Sequence, residues 1–203
     1  MDDGENRFNR ASIDAWHRAL DQVEATEGPM AMVTTGTGKY YSNGLDLDWL
    51  GGAGDAALGF IDEVHRLLGR VLGLGAITVA AVNGHAFAAG AMLATAHDHV
   101  VMRADRGYWC LPEVDLGLPL TPAMYATVAA HLPPPTLRTA ALTGLRYPGP
   151  EAVTAGIADE AVAEDQVLDR AIEMAGALAD KDRTVIAAHK RLLYGDAIAT
   201  CGA

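Results

Sequence analysis

The stretch Ala88 to Ala96, Ala-Ala-Gly-Ala-Met-Leu-Ala-Thr-Ala, has the composition of a helix and no polar face. A helix that is apolar all round has no side to give to water, so it must be internal and enclosed by other elements. It is flanked by Ile77 to Val82 and Val100 to Arg103, two short apolar runs rich in strand formers. Strands on both sides of a buried helix argue an α/β fold, in which helical and strand layers share one core.

The rest of the chain fits that reading. Ile13, Trp16, Leu20 and Val23 recur at three- and four-residue steps behind a possible Asn9 cap, which predicts an amphipathic helix ending near Gly28-Pro29. Met30 to Thr35 predicts a buried strand, and Gly36 to Gly44 reads as a glycine-containing loop. Phe60, Val64, Leu67, Leu68 and Val71 define a second helix, and Thr121 to His131 another. From Pro135 the chain reads as largely helical, with helices over Glu151 to Ala155, Asp165 to Leu178 and Arg183 to Tyr194, and one short strand near Ile157 to Val162. Residues 1–203 are expected to form one domain, an α/β core over 1–135 followed by a mainly helical region over 136–203.

Charge and cysteine usage narrow the function. With 26 acidic and 15 basic side chains the net charge is -11, which disfavours nucleic acid and anionic membrane surfaces as partners. No apolar run reaches the roughly 18 residues needed to span a bilayer. Cys110 and Cys201 lack metal-binding or redox spacing, which points to a reducing compartment. The start Met1-Asp2-Asp3-Gly4-Glu5 lacks the basic and apolar segments of a secretory signal, and the end Cys201-Gly202-Ala203 is not a Ser-Lys-Leu address. A cytoplasmic protein is expected.

Glu113 is the first candidate for acid-base chemistry. It lies in Leu111-Pro112-Glu113-Val114-Asp115-Leu116-Gly117-Leu118-Pro119, where apolar neighbours would desolvate the carboxylate and raise its pKa. The competing reading is a solvated acid in a Pro/Gly turn. Two glycine-containing segments, Ser42-Asn43-Gly44-Leu45-Asp46 and Ala88-Ala89-Gly90, each follow a strand-like run and lead toward helix, so their backbone N–H groups could hold an anionic oxygen. Each also fits a structural turn. Asp115 is a second acid or a turn-stabilising carboxylate, and His85 a titrating or a structural histidine. His97-Asp98-His99 invites a metal reading, but adjacent side chains diverge and no third ligand is evident; no metal is expected.

These segments, with Asn6-Arg7-Phe8-Asn9, Asn83-Gly84-His85-Ala86-Phe87 and Asp98, resemble the crotonase superfamily, also called the enoyl-CoA hydratase/isomerase family, from about Gly4 to Gly195. The resemblance implies a crotonase-like (ClpP/crotonase) spiral of ββα units with a helical C-terminal region. It implies an acyl-CoA thioester as substrate, coenzyme A being part of that substrate and no separate cofactor being needed. The backbone N–H groups of Leu45 and Ala89 match the family's oxyanion-hole positions, and Glu113 matches a catalytic glutamate. Asn43, Gly44, Asp46 and Gly90 fall in the same substrate-binding motifs. Where hydratases carry their other glutamate this chain has Met92. Lys39, beside the first loop, is a candidate for the coenzyme A phosphates; Trp49 would stack on the ligand or pack in the core.

One glutamate suffices to move a double bond from the 3 to the 2 position, because the same carboxylate can take a proton and return it. The resemblance is greatest to short monofunctional delta(3),delta(2)-enoyl-CoA isomerases, which implies an isomerase of fatty-acid beta-oxidation. Other crotonase-type enzymes (hydratase, thioesterase or decarboxylase) and a non-catalytic acyl-CoA- or protein-binding domain are the alternatives. The resemblance implies a leading strand or two before the Asn6-Arg7-Phe8 segment, which this chain is expected to lack, and the family analogy implies a homotrimer.

Overall fold

The computed structural model describes residues 4–54 and 56–203. The acidic start Met1-Asp2-Asp3, on which the reading of a missing signal rests, lies outside the described residues.

The first helix, α1 (Arg10–Ala25), begins where a reciprocal cap allows it. The Asn9 side chain accepts the Ser12 N–H, and the Ser12 hydroxyl accepts the Asn9 N–H. This satisfies two backbone donors that would otherwise be orphaned. Strands β1 (Ala31–Thr35) and β2 (Tyr40–Ser42) follow, then α2 (Leu47–Gly52), α3 (Ala56–Gly73), β3 (Ile77–Val82) and β4 (His85–Phe87). The apolar run becomes α4 (Ala89–Thr95), in which every residue is buried, and β5 (His99–Arg103) and β6 (Trp109–Cys110) complete a third strand pair.

Two parallel sheets result. A four-stranded sheet runs β1-β3-β5-β7, with β7 at Glu160–Val162, and a three-stranded sheet runs β2-β4-β6. Each of the first three turns of the chain places one strand in each sheet, which is the ββα spiral. At the corner before β4, a Cβ on Gly84 would lie 2.1 Å from the Lys39 carbonyl oxygen, so only glycine lets the chain pass between sheets there. The remaining elements are helical: α5 (Glu113–Leu116), α6 (Pro122–Ala129), α7 (Pro134–Thr143), α8 (Gly149–Thr154), α9 (Val167–Leu178) and α10 (Arg183–Thr200).

The segment read as a Gly36–Gly44 loop therefore contains β2, and β4 and β6 were not expected at all. All three are two or three residues long, too short for an alternating pattern to register. They are held by their neighbours: Ala86 N donates to Tyr108 O at 2.9 Å and Ala88 N to Cys110 O at 3.1 Å.

Helix α10 is fastened to the large sheet by a buried ion pair. Lys190 Nζ lies 2.7 Å from Asp98 Oδ2 and donates to the Ala76 carbonyl at 2.9 Å. The same Asp98 oxygen accepts the Thr78 N–H at 2.7 Å and the Thr78 hydroxyl at 3.0 Å. The flanking histidines diverge from it. His97 is buried between Thr34 and the Leu93 carbonyl, at 2.9 and 2.8 Å, whereas His99 pairs with Asp159 at 3.2 Å.

Candidate active site

Strand β6 delivers the chain to Leu111-Pro112, and Glu113 opens the single-turn helix α5. The turn is closed by Gly117, whose φ of 69° is left-handed, and Leu118 N returns to donate to Glu113 O at 2.9 Å. This folds the acid inward. Glu113 is only 9% exposed, and its Oε2 has no hydrogen-bond partner among the described residues. Burial raises its pKa above the ordinary glutamate value, opposed by a hydrogen bond from its own backbone amide.

The first oxyanion-type loop is anchored by a parallel bridge between Phe8 and Leu45. Phe8 N donates to Gly44 O at 2.8 Å and Asp46 N donates to Phe8 O at 2.9 Å. That pattern turns the Leu45 N–H away from the bridge, and no acceptor takes it among the described residues. In the second loop Ala88 has φ 51° and ψ -125°, a strained conformation for a residue with a side chain. The strain re-aims the chain as α4 begins, leaving the Ala89 N–H among the unpaired donors of the first helical turn. The loops abut: Gly44 has φ 80°, and a Cβ there would lie 2.9 Å from Phe87 O and 3.2 Å from Ala89 N. A side chain at position 44 would crowd the Ala89 donor.

Asn43, Leu45, Ala89 and Glu113 all line one cavity of about 650 Å³. The other candidate binding residues, Lys39, Gly44, Asp46, Trp49, Gly90 and Met92, lie outside its lining. Gly90 serves packing, since a Cβ there would meet the Ser42 carbonyl oxygen at 2.3 Å. Met92 is fully buried in the core. Asp46 caps α2 by accepting the Trp49 N–H at 3.2 Å, and the Trp49 ring packs edge-on against Phe60 at 4.7 Å. Lys39 Nζ sits 5.2 Å from the centre of the Tyr40 ring. Asp115 is exposed and turned toward the end of α7, where a Cβ on Gly144 would lie 2.5 Å from its Oδ2. His85 lies among the Tyr40, Phe87 and Tyr108 rings, and burial together with Lys39, Arg106 and Arg146 lowers its pKa.

Arg146 was missed. It lines the cavity with its guanidinium 5.6 Å from the centre of the Phe87 ring. Its position depends on an antiparallel bridge in which Trp109 and Tyr147 exchange N–H to O bonds of 2.9 Å, a long-range pairing with no local signature. Cys110 also lines the cavity, as a buried thiol pushed up to about 11 chiefly by desolvation.

A model of the family described as enoyl-CoA hydratase/isomerase matches residues 2–197. The chain belongs to the enoyl-CoA hydratase/isomerase family. Within that family it is 36% identical over 206 residues to the Enoyl-CoA delta isomerase 2, peroxisomal, of Arabidopsis thaliana, covering 95% of this chain and 85% of the relative. It is 33% identical over 165 residues to the Carnitinyl-CoA dehydratase of Citrobacter koseri, covering 80% of this chain and 62% of the relative. The crystal structure of a probable enoyl-CoA hydratase from Mycobacterium tuberculosis matches with a TM-score of 0.89 at 28% identity, covering 100% of this chain and 86% of that one. The crotonase-like fold follows from these likenesses.

The cytoplasmic expectation is overturned by the Arabidopsis relative, whose name places it in the peroxisome. An acidic balance and two free cysteines suit any reducing compartment, so composition had no power to tell them apart.

Proposed function

We propose that this chain acts on an enoyl-CoA thioester by proton transfer at Glu113, with the thioester oxygen held by the Leu45 and Ala89 amides. The observation that carries the reading is the buried Glu113 Oε2, which has no hydrogen-bond partner among the described residues and lines the same cavity as two backbone donors with no acceptor among them. Donors fixed in place before charge develops stabilise an enolate oxygen by several kcal/mol in a dry site. A raised pKa suits a carboxylate that must both take and return a proton.

Family chemistry of the hydratase or isomerase kind is the better supported statement, because the relatives' names divide between double-bond migration and the addition or removal of water. Within it we favour 3-enoyl to trans-2-enoyl isomerisation. Glu113 would remove the alpha proton, the dienolate oxygen would rest between the two amides, and the same carboxyl would deliver the proton to the gamma carbon. The other carboxylate in the lining, Asp48, has a side chain 95% exposed and 3.5 Å from Arg7, a poor place for a second acid-base group. Met92 lies in the core and supplies none. The hydratase reading stays as the alternative, favoured by the hydratase-type relatives. We further infer one domain, a role in fatty-acid metabolism and assembly as a homo-oligomer.

Product identity separates the two reactions. Purified protein is incubated with 3-enoyl and with trans-2-enoyl thioesters, and products are resolved by mass and ultraviolet absorption. Isomerisation keeps the mass and creates conjugated absorption. Rapid formation of a 3-hydroxyacyl thioester from the trans-2 substrate would replace the isomerase reading by the hydratase one.

A further inference from the structure

Four leucines that ought to be buried are not. Leu47 on α2, Leu58 on α3, and Leu116 and Leu118 around α5 are 47%, 78%, 52% and 47% exposed, yet all four line the cavity that holds Glu113. Apolar side chains scattered singly over a surface need no explanation. Four from three separate segments converging on one opening make a continuous apolar surface that a ligand would cover.

The arrangement couples this surface to the carboxylate. Glu113 and Leu116 are three residues apart on a single helical turn, so they share a face, and the left-handed Gly117 brings Leu118 back under the same backbone. On α3, Leu58 and Ile61 share a face at the same spacing and both line the cavity. A chain leaving a thioester held at Leu45 and Ala89 would therefore enter a cavity whose lining carries both Glu113 and these leucines. The charged side chains besides Glu113 in this lining are Arg7, Arg146 and the outward Asp48. A cationic acyl group would meet Arg146 there, and the one buried carboxylate in this lining that it could pair with is the proposed base Glu113, since Asp48 is outward and engaged by Arg7.

We infer that the preferred substrates carry a long, uncharged acyl group, and that Leu58 and Leu116 are the residues that select for it. The inference rests on the acyl-CoA reading above. It concerns the acyl end of the ligand alone.

Binding of saturated thioesters tests it without requiring turnover. Titration calorimetry compares dodecanoyl-CoA, butanoyl-CoA and an acyl-CoA of intermediate length bearing a trimethylammonium group, on the wild type and on Leu58→Ser, Leu116→Ser and Leu192→Ser. Leu192 is 85% exposed and outside the cavity, and serves as the control. Dodecanoyl-CoA should bind at least about tenfold more tightly than either other ligand, since covering even one leucine is worth that much. Each of Leu58→Ser and Leu116→Ser should weaken dodecanoyl-CoA by about tenfold and leave butanoyl-CoA nearly unchanged. The control should change neither. Equal wild-type affinity for the long and short thioesters, equal losses for both in the variants, or tight binding of the cationic ligand would overturn the selection while leaving the acyl-CoA reading intact. Failure of every thioester to bind would remove that reading and this inference with it.

Discussion

Two buried ionisable sites in this molecule are built on opposite plans. At the α10 junction, Lys190 and Asp98 face each other at 2.7 Å, with the Ala76 carbonyl and both Thr78 donors filling the coordination around them. At the cavity, Glu113 has an oxygen with no partner among the described residues. Taking charge out of water costs several kcal/mol per ion unless neighbours replace the lost hydration. The first site supplies those neighbours and becomes a fastening. The second withholds them, which leaves a carboxyl whose proton is free to move, at a cost to stability that its surroundings must offset.

The comparison breaks most visibly if the paired site loses one member. Lys190→Met leaves Asp98 buried without its counter-ion and should destabilise the fold by about 3–5 kcal/mol. Chemical denaturation measures the loss, and activity per folded molecule should be retained. Glu113→Gln should do the reverse, lowering turnover by about a hundredfold or more while the denaturation midpoint holds or rises. Near wild-type turnover in a folded Glu113→Gln protein would remove the acid-base assignment.

Acidity sharpens the contrast further. Because the folded-state pKa of Glu113 is raised, its protonated form is favoured in the native state. Its contribution to stability is full below the ordinary glutamate pKa and is lost as pH rises through the raised folded value. Activity should move the other way, rising with pH over the same window as the base ionises. A stability difference between wild type and Glu113→Gln that stays flat with pH would contradict this sign. The smallest effect is expected at the solvent-facing cap, where Asn9→Ala should cost about 1 kcal/mol by thermal melting and set the scale for an ordinary satisfied polar pair.

What the sequence disclosed follows the length over which each pattern is averaged. Helices α1 and α3 span 16 and 18 residues, enough for the three- and four-residue steps of Ile13, Leu20, Phe60 and Val64 to speak clearly. The internal α4 was legible from the lack of any polar side chain facing out. Strands β2, β4 and β6 were not, because a two- or three-residue strand exists only through its partners. At the site, Glu113 was singled out by its apolar neighbours and Leu45 and Ala89 through motif resemblance, and the structure brings all three to one cavity. Arg146 was silent because a bridge between Trp109 and Tyr147 places it there. The strain at Ala88 was silent too, since positive φ is uncommon for any non-glycine residue and an alanine gives no sign of it. Met92, which stands where hydratases are expected to carry their other glutamate, has its side chain in the core, a placement that motif resemblance alone does not disclose.

Trp109 gives the site a mechanical character. Its fully buried indole N–H is shared between the Ala91 carbonyl and the Thr95 hydroxyl, both at 3.1 Å, while the next residue's carbonyl holds the Ala88 amide. The strand that leads to the carboxylate and the helix that begins at the second backbone donor are thus clamped at two points. Thermal fluctuation must displace base and donor together, so the alignment between them survives motion of the more exposed leucine-bearing walls. On the proposed acyl-CoA reading, chains of different length would then reshape the outer part of the cavity without detuning the reacting centre.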